Sequence, residues 1–147
     1  MIVLIDGFSI AFRAFYALPE TLMTSKGTPT NVIHGFLSML NKISTDYKTE
    51  QLIVTWDLPG KTFRNDIYTD YKANRSSAPD NFNVQVPLLH ELLNTFNIPQ
   101  VSKEGYEADD VLGSLSTILN KQNKKVLIVT GDRDTYQLIS NKTKILY

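Results

Sequence analysis

Three short apolar runs constrain the fold of this chain more than any other feature of its sequence. They lie at residues 2–5, 52–56 and 126–129, have the length of strands and are rich in β-branched side chains. Apolar runs without alternation are typical of strands buried on both faces of a parallel sheet. Because helical patterns separate the runs, we expect an α/β domain with a mostly parallel central sheet flanked by helices.

The segments between the first two runs predict helices from the spacing of their apolar residues. A short helix is expected over residues 10–16, and a longer one begins at Asn31, which can cap it. Gly35 is a mild cost inside the longer helix. The apolar stripe of that helix consists of Ile33, Phe36, Leu37, Leu40 and Ile43.

Two more helices are predicted in the second half of the chain. One covers residues 80–96, and it tolerates Pro87 only in its first turn. The other runs from an acidic stretch at residue 107 to about Lys121. A helical turn over 134–138 and short strands over 98–101 and 144–147 complete the pattern. The inward residues are Val84, Leu88, Leu89, Leu92, Leu93 and Phe96 in the first helix, and Val111, Leu112, Leu115, Ile118 and Leu119 in the second.

Each of the three predicted strands is followed closely by an aspartate, namely Asp6, Asp57 and Asp132. Ligands of parallel sheets bind beyond the carboxyl ends of the strands. Any one of these residues could be a turn aspartate or a helix cap, which is the commoner role. Three at equivalent positions, with Asp134 close by, instead predict a functional site at this edge.

The acidic stretch places Glu107, Asp109 and Asp110 just before an apolar, helix-like run. Free N–H groups and the helix dipole favour one or two carboxylates there. A third adds like-charge repulsion of about 1 kcal/mol per pair in water, and more when it is partly desolvated. A divalent cation removes that repulsion, and Mg²⁺ and Mn²⁺ prefer carboxylate oxygens. The alternative is an over-capped, solvated helix start.

Composition excludes several classes of site. The chain has no cysteine, which rules out disulfide partners, zinc–thiolate sites and thiol catalysis. Its two histidines, His34 and His90, lie on separate predicted helices, which argues against a histidine-rich metal site. No apolar run reaches membrane-spanning length and no signal peptide is present, so we expect a cytoplasmic protein without a membrane partner. The net charge is zero, yet neutralising the acidic candidates with metal would leave a basic surface.

Residues 58–79, called the arch segment below, differ in kind from the rest. The segment has little core-forming periodicity and is too long for an ordinary connection, so we expect it to be functional or disordered. An ordinary solvated basic loop is the alternative. Its cations are Lys61, Arg64, Lys72 and Arg75, and its aromatic residues are Phe63, Tyr68 and Tyr71.

Six motifs occur in order across the whole chain. They are Leu4-Ile5-Asp6-Gly7, Phe12-Arg13-Ala14-Phe15, Trp56-Asp57 with Phe63-Arg64, Tyr71-Lys72-Ala73-Asn74-Arg75, Gly105-Tyr106-Glu107-Ala108-Asp109-Asp110, and Gly131-Asp132-Arg133-Asp134. Together they resemble the 5′-nuclease family, the 5′-3′ exonuclease and flap endonuclease domain at the N-terminus of bacterial DNA polymerase I. The resemblance implies one PIN-like domain over residues 1–147, with the arch segment forming a helical arch or clamp.

The resemblance also implies a reaction and a metal centre. The family hydrolyses DNA phosphodiesters at a 5′ end or 5′ flap in replication and repair, and it uses two Mg²⁺ or Mn²⁺ ions. Asp57, Glu107 and Asp109 match ligands of the first ion. Asp6 and Asp110 match nearby or water-mediated ligands. Asp132 and Asp134 match ligands of the second ion.

The arch segment would contact the DNA. By resemblance, Lys72 and Arg75 are catalytic residues that neutralise charge developing on the scissile phosphate, a role suited to positioned cations. Lys61 and Arg64 could hold backbone phosphates, and Tyr71 could stack on a base.

The family pattern continues past Tyr147 into a helical DNA-binding region with two further aspartates for the second ion. We therefore expect a fragment of a longer protein, which a polymerase region can follow, with an incomplete second metal site. A non-catalytic nucleic-acid-binding module and a PIN-type ribonuclease stay open as alternatives. A carboxylate phosphatase of another α/β family fits less well, because the arch segment would have no purpose there.

Overall fold

A five-stranded parallel sheet forms the centre of the computed structural model, which describes residues 1–147. The strands are β1 (Ile2–Asp6), β2 (Gln51–Thr55), β3 (Gln100–Val101), β4 (Val126–Val129) and β5 (Thr143–Leu146), in the order β3-β2-β1-β4-β5. This architecture confirms the predicted α/β class. Strand β1 is central, since Leu4 pairs with Ile53 on one side and Ile128 on the other.

Helices cover both faces of the sheet. They are α1 (Gly7–Ala17), α2 (Asn31–Asp46), α3 (Phe63–Ile67), α4 (Asp80–Asn83), α5 (Gln85–Thr95), α6 (Ala108–Lys121) and a 3-10 helix (Arg133–Leu138). No helix is both long and apolar enough to cross a membrane. Helix α3 is the only helix of the arch segment, and the rest of the segment consists of turns and irregular backbone.

The alternation of side chains along β1 divides the core into two parts. Val3 and Ile5 belong to a larger cluster that includes the apolar faces of α1, α2 and α5. Ile2 and Leu4 point to the opposite face and pack with Leu112 of α6. Every residue of β1 is therefore buried, as its unbroken apolar run predicts.

Two predictions about the first helices are wrong in detail. The short helix begins at Gly7 rather than residue 10, because the side chain of Asp6 accepts the N–H of Ser9 and caps it. Asn31 is not a cap; Thr30 holds that position. The buried Asn31 amide instead donates to the carbonyls of Phe15 and Leu18, which end α1 without helical partners.

The predicted helix over 80–96 consists of two helices, α4 and α5, with Val84 between them. Pro87 lies in the first turn of α5, as required. Leu89 and Leu93 are buried, but Val84, Leu88 and Phe96 are exposed, contrary to prediction. The buried position belongs to Gln85, whose Oε1 accepts the N–H of Val32 at 2.8 Å and whose Nε2 donates to Asn31 Oδ1 at 2.8 Å.

Helix α6 extends over the predicted range, with one inward residue wrongly assigned. Ile118 is exposed and borders a cavity beside the 3-10 helix. The buried stripe of α6 passes through Leu112 and Ser116 instead. Strand β3 is only two residues long, since Pro99 before it has no N–H for the ladder, although its carbonyl accepts the N–H of Val54.

Gly35 has a packing role that its helix pattern does not reveal. A Cβ atom at this position would lie 2.7 Å from Ala14 Cβ and 3.2 Å from Ala14 Cα. Helices α1 and α2 therefore approach each other at a point where no side chain fits.

We expect Gly35→Ala to lower the free energy of unfolding by about 1–3 kcal/mol through overpacking, despite the better helix propensity of alanine. Gly113→Ala in α6 is the matched control, because its Cβ would meet only Leu138 Cδ2 at 3.4 Å. The free energy of unfolding of Gly113→Ala should equal that of the parent or exceed it by up to about 1 kcal/mol. Urea unfolding measures both, and equal effects at the two glycines would contradict the packing role.

Candidate active site

The sheet order brings the predicted aspartates together at one edge. Strands β2, β1 and β4 are neighbours, and Asp57, Asp6 and Asp132 lie at or just beyond their carboxyl ends. The N-terminus of α6 adds Glu107 and Asp109 from the same side. These five residues, called the carboxylate cluster below, line one open cavity of about 780 Å³: Asp6, Asp57, Glu107, Asp109 and Asp132.

Asp6 is the most deeply placed aspartate of the cluster, with 7% of its surface exposed. Its Oδ1 accepts the N–H of Ser9 at 3.2 Å and its Oδ2 accepts the hydroxyl of Thr130 at 2.8 Å. Burial raises the pKa of Asp6, and these two hydrogen bonds oppose that rise. Ser9 and Thr130 lie outside the quoted motifs, so the sequence did not single out either residue.

Backbone hydrogen bonds fix the start of α6 beside the cluster. Asp57 Oδ1 accepts the N–H of Ala108 at 2.8 Å, which ties the end of β2 to the helix N-terminus. Asp110 Oδ2 accepts the N–H of Glu107 at 2.9 Å. Asp57 and Asp110 therefore accept N–H groups that have no partner within the helix. For Asp110, this is the capping role that the alternative of a solvated helix start predicts.

Asp109 is different, because no donor of the protein contacts its carboxylate. Burial, together with the negative charges of neighbouring carboxylates, raises its pKa to about 6. Those neighbours are Asp6, Asp132, Asp57 and Glu107. The side chain faces a concentration of negative charge that the protein's own cations do not offset.

Cations of the arch segment pair with the other two acidic residues of α6. Arg64 holds Asp110 through two bonds of 2.7 and 2.9 Å and lies 3.4 Å from Glu107. Lys72 Nζ lies 2.9 Å from Glu107 Oε1, and the Tyr71 hydroxyl donates to Glu107 Oε2 at 3.3 Å. The guanidinium of Arg64 lowers the pKa of Asp110. The sequence did not reveal these pairs, since their partners are 35–46 positions apart.

The remaining candidates are distributed between two cavities. Lys72 and Arg75 line both the cluster cavity and a second one of about 860 Å³. Asp134 and Asp110 line only the second, and Lys61 lines neither. Arg133 also lines the cluster cavity, and no role was predicted from the sequence for this cation, although it lies within a quoted motif.

The donors at this edge fit a hard divalent cation in kind. They are all carboxylate oxygens, and Asp57, Asp109 and Asp132 have no basic partner within the protein. In this arrangement, no three acidic or histidine side chains lie close enough together to bind one ion. Side-chain adjustment or bridging water is therefore required for a cation to contact several of them.

Comparison with known proteins decides the family. The family described as 5′-3′ exonuclease, N-terminal resolvase-like domain matches residues 1–147, the whole chain.

The chain belongs to this family.

DNA polymerase I of Caldicellulosiruptor bescii is 45% identical over 144 residues, which cover 98% of this chain and 17% of that protein. A 5′-3′ exonuclease of Aquifex aeolicus is 43% identical over 143 residues, covering 97% and 49% respectively. The chain thus spans half or less of these relatives. A bacteriophage T5 D15 flap endonuclease complex with DNA and metal ions superposes with a TM-score of 0.76 at 18% identity, covering 98% and 53%, and it shows the PIN-like fold.

The raised pKa of Asp109 predicts a pH dependence of stability in the metal-free chain. The folded state binds the proton of Asp109 more tightly than the unfolded state does. The stability that this proton contributes is therefore fully present below the unfolded pKa of about 3.9. It is lost as pH rises through about 6. As the pH rises from about 4 to about 7.5, the free energy of unfolding of the parent should therefore fall by on the order of 2 kcal/mol more than that of Asp109→Asn.

Thermal unfolding in chelator at a series of pH values measures this difference. Asp46→Asn is the control, because Asp46 is exposed on α2 and pairs only with Lys42. It should follow the parent curve. Parallel curves for the parent and Asp109→Asn would show that neither burial nor the neighbouring carboxylates raise the pKa of Asp109 in the folded chain.

Proposed function

We propose that this chain is a divalent-metal-dependent 5′-3′ exodeoxyribonuclease and flap endonuclease domain. Its substrate is DNA with a 5′ end or 5′ flap, cleaved at a phosphodiester in replication and repair. The observation that carries the proposal is the meeting of the carboxylate cluster with Lys72 and Arg75 at one open cavity. Family membership and the DNA and metal ions in the T5 complex support it.

The acidic residues would hold Mg²⁺ or Mn²⁺. Asp57, Glu107 and Asp109 are proposed for a first ion, and Asp132 with Asp134 for a second. Asp6 and Asp110 would act nearby or through water. Bound ions of this kind activate water and stabilise the leaving oxygen of a phosphodiester.

The arch segment would bind the DNA and stabilise charge. Lys72 and Arg75 are proposed to face the scissile phosphate, because both line the cluster cavity. Lys61 and Arg64 would contact backbone phosphates, and Tyr71 would stack on a base. Lys72 and Arg64 now pair with Glu107 and Asp110, so they must exchange carboxylate for phosphate when DNA enters.

The length of the polymerase relatives supports a role for this chain within a longer protein. We propose that residues 1–147 form one domain that corresponds to the N-terminal part of a DNA polymerase I, with the polymerase region following in the full-length protein. DNA anchoring by further parts of such a protein would add to the contacts of the arch segment.

A non-catalytic nucleic-acid-binding module is the second candidate. It is favoured by one observation, namely that the arch cations pair with two acidic residues while no three carboxylates enclose an ion. Such a module would bind a 5′-flap DNA but leave it intact. Cleavage of a matched RNA flap in preference to DNA would instead indicate a PIN-type ribonuclease.

Cleavage of a labelled 5′-flap DNA by this chain tests the proposal, with Mg²⁺ or Mn²⁺ and with chelator. We expect metal-dependent cleavage that Asp57→Asn abolishes, since the variant loses an anionic ligand. Its amide oxygen can still accept the N–H of Ala108, so α6 should keep its position. DNA affinity should be unchanged or slightly higher. Asp46→Asn is the control and should cleave like the parent, and a cleaving Asp57→Asn would show that the site assignment is wrong.

Variants of the arch segment separate chemistry from binding. Lys72→Ala should lower the single-turnover rate by roughly 10²–10³, as expected when one positioned donor is lost. Arg64→Ala should instead weaken DNA binding and reduce its salt dependence. Lys144→Ala, an exposed lysine of β5 without an ion pair, is the control. If Lys72→Ala and Arg64→Ala change only affinity, and equally, the arch segment is a generic basic surface.

A further inference from the structure

A buried hydroxyl with no assigned role lies between two members of the carboxylate cluster. Thr130 directly follows β4 and is fully buried. Its Oγ1 lies 2.8 Å from Asp6 Oδ2 and 3.0 Å from the backbone nitrogen of Asp132. One side chain therefore contacts an acidic residue that ends β1 and another that lies just beyond the neighbouring strand β4.

The direction of both hydrogen bonds is fixed by chemistry. The N–H of Asp132 can only donate, so Thr130 Oγ1 accepts there and gives its single proton to Asp6 Oδ2. The other oxygen of Asp6 accepts the N–H of Ser9. Each oxygen of this carboxylate thus has one donor, and rotation of the side chain would leave a buried polar group unpaired.

The same hydroxyl begins a chain of bonds toward the 3-10 helix. Asp132 donates its N–H to Thr130, and its own Oδ1 accepts the N–H of Asp134 at 2.9 Å. Thr135 Oγ1 donates to the carbonyl of Asp132 at 2.6 Å. The orientation of Asp132 is therefore linked to that of Asp6 through one atom.

We propose that Thr130 is a positioning residue whose hydroxyl holds the carboxylate of Asp6 directly, and the side chain of Asp132 through its backbone, toward the same cavity. The proposal rests on the function proposed above, because those carboxylates matter only if they receive a cation. Groups that hydrogen-bond to metal-ligating side chains from behind orient them, and their loss typically lowers metal affinity 10–100-fold.

The neighbouring strand offers a matched control. Thr143 in β5 is also buried, with 1% of its surface exposed, and its hydroxyl donates to Asn120 Oδ1 at 3.0 Å. It contacts no member of the carboxylate cluster. Thr143→Val therefore removes a comparable buried hydroxyl from the same sheet without changing an acidic side chain.

The first measurement is Mn²⁺ binding to the chain by calorimetry. Thr130→Val should weaken binding 10–100-fold, while Thr130→Ser, which keeps the hydroxyl, should stay within about threefold of the parent. Thr143→Val should bind like the parent. Parental affinity in Thr130→Val, or an equal loss in Thr143→Val, would overturn the proposal.

The second measurement needs no metal and uses amide hydrogen exchange of Ser9 and Asp132. The N–H of Ser9 contacts Thr130 only indirectly, through Asp6. A second link runs from the N–H of Gly131 to Ser9 Oγ at 2.7 Å, so every variant is also compared in a Ser9→Ala background, which removes that link and keeps the amide at position 9. Thr130→Val should speed exchange several-fold at both amides relative to Thr143→Val, and Thr130→Ser should restore protection. An unchanged Ser9 amide overturns the proposal. If the parent binds no Mn²⁺, the proposed function fails, and the Ser9 amide alone decides the role of Thr130.

Discussion

The parallel register of β1 with its two neighbours is the constraint on which the candidate site depends. Asp6 pairs with Thr55, and Ile5 pairs with Val129, so these three strands end at nearly the same level. The apolar residues of β1 and β4 are buried on both faces, which holds the register firmly. A slip of one residue would turn every side chain of a strand to the other face, and it would separate the aspartates as well as the core.

That geometry concentrates negative charge that the protein only partly offsets. The arch segment supplies Arg64 and Lys72 to Asp110 and Glu107, while Asp109 receives no donor and has a raised pKa. The stability of the folded chain is thereby reduced in favour of an arrangement that suits a cation. The same arch cations are the ones proposed for DNA, so binding of substrate and rearrangement of these ion pairs are expected to be one process.

Local patterns in the sequence predicted the strands, the sheet class and the placement of aspartates after strands, because each depends on near neighbours along the chain. Partners far apart in sequence were not predictable in this way. Gln85 is buried because it satisfies backbone groups of α2, and Asn31 because it satisfies carbonyls of α1. The pairing of Arg64 with Asp110 likewise depends on how the arch segment folds back onto α6.

Paramagnetic broadening of amide resonances by substoichiometric Mn²⁺ tests the central claim most directly, since it locates the bound cation. The account predicts that broadening centres on the amides of Asp6, Asp57, Ala108 and Asp132, which come from four separate parts of the chain and meet only in this fold. Exposed acidic positions elsewhere, such as Glu50, should remain sharp. Broadening centred on those positions, or spread evenly over the surface, would contradict a cation site at the carboxyl edge of the sheet.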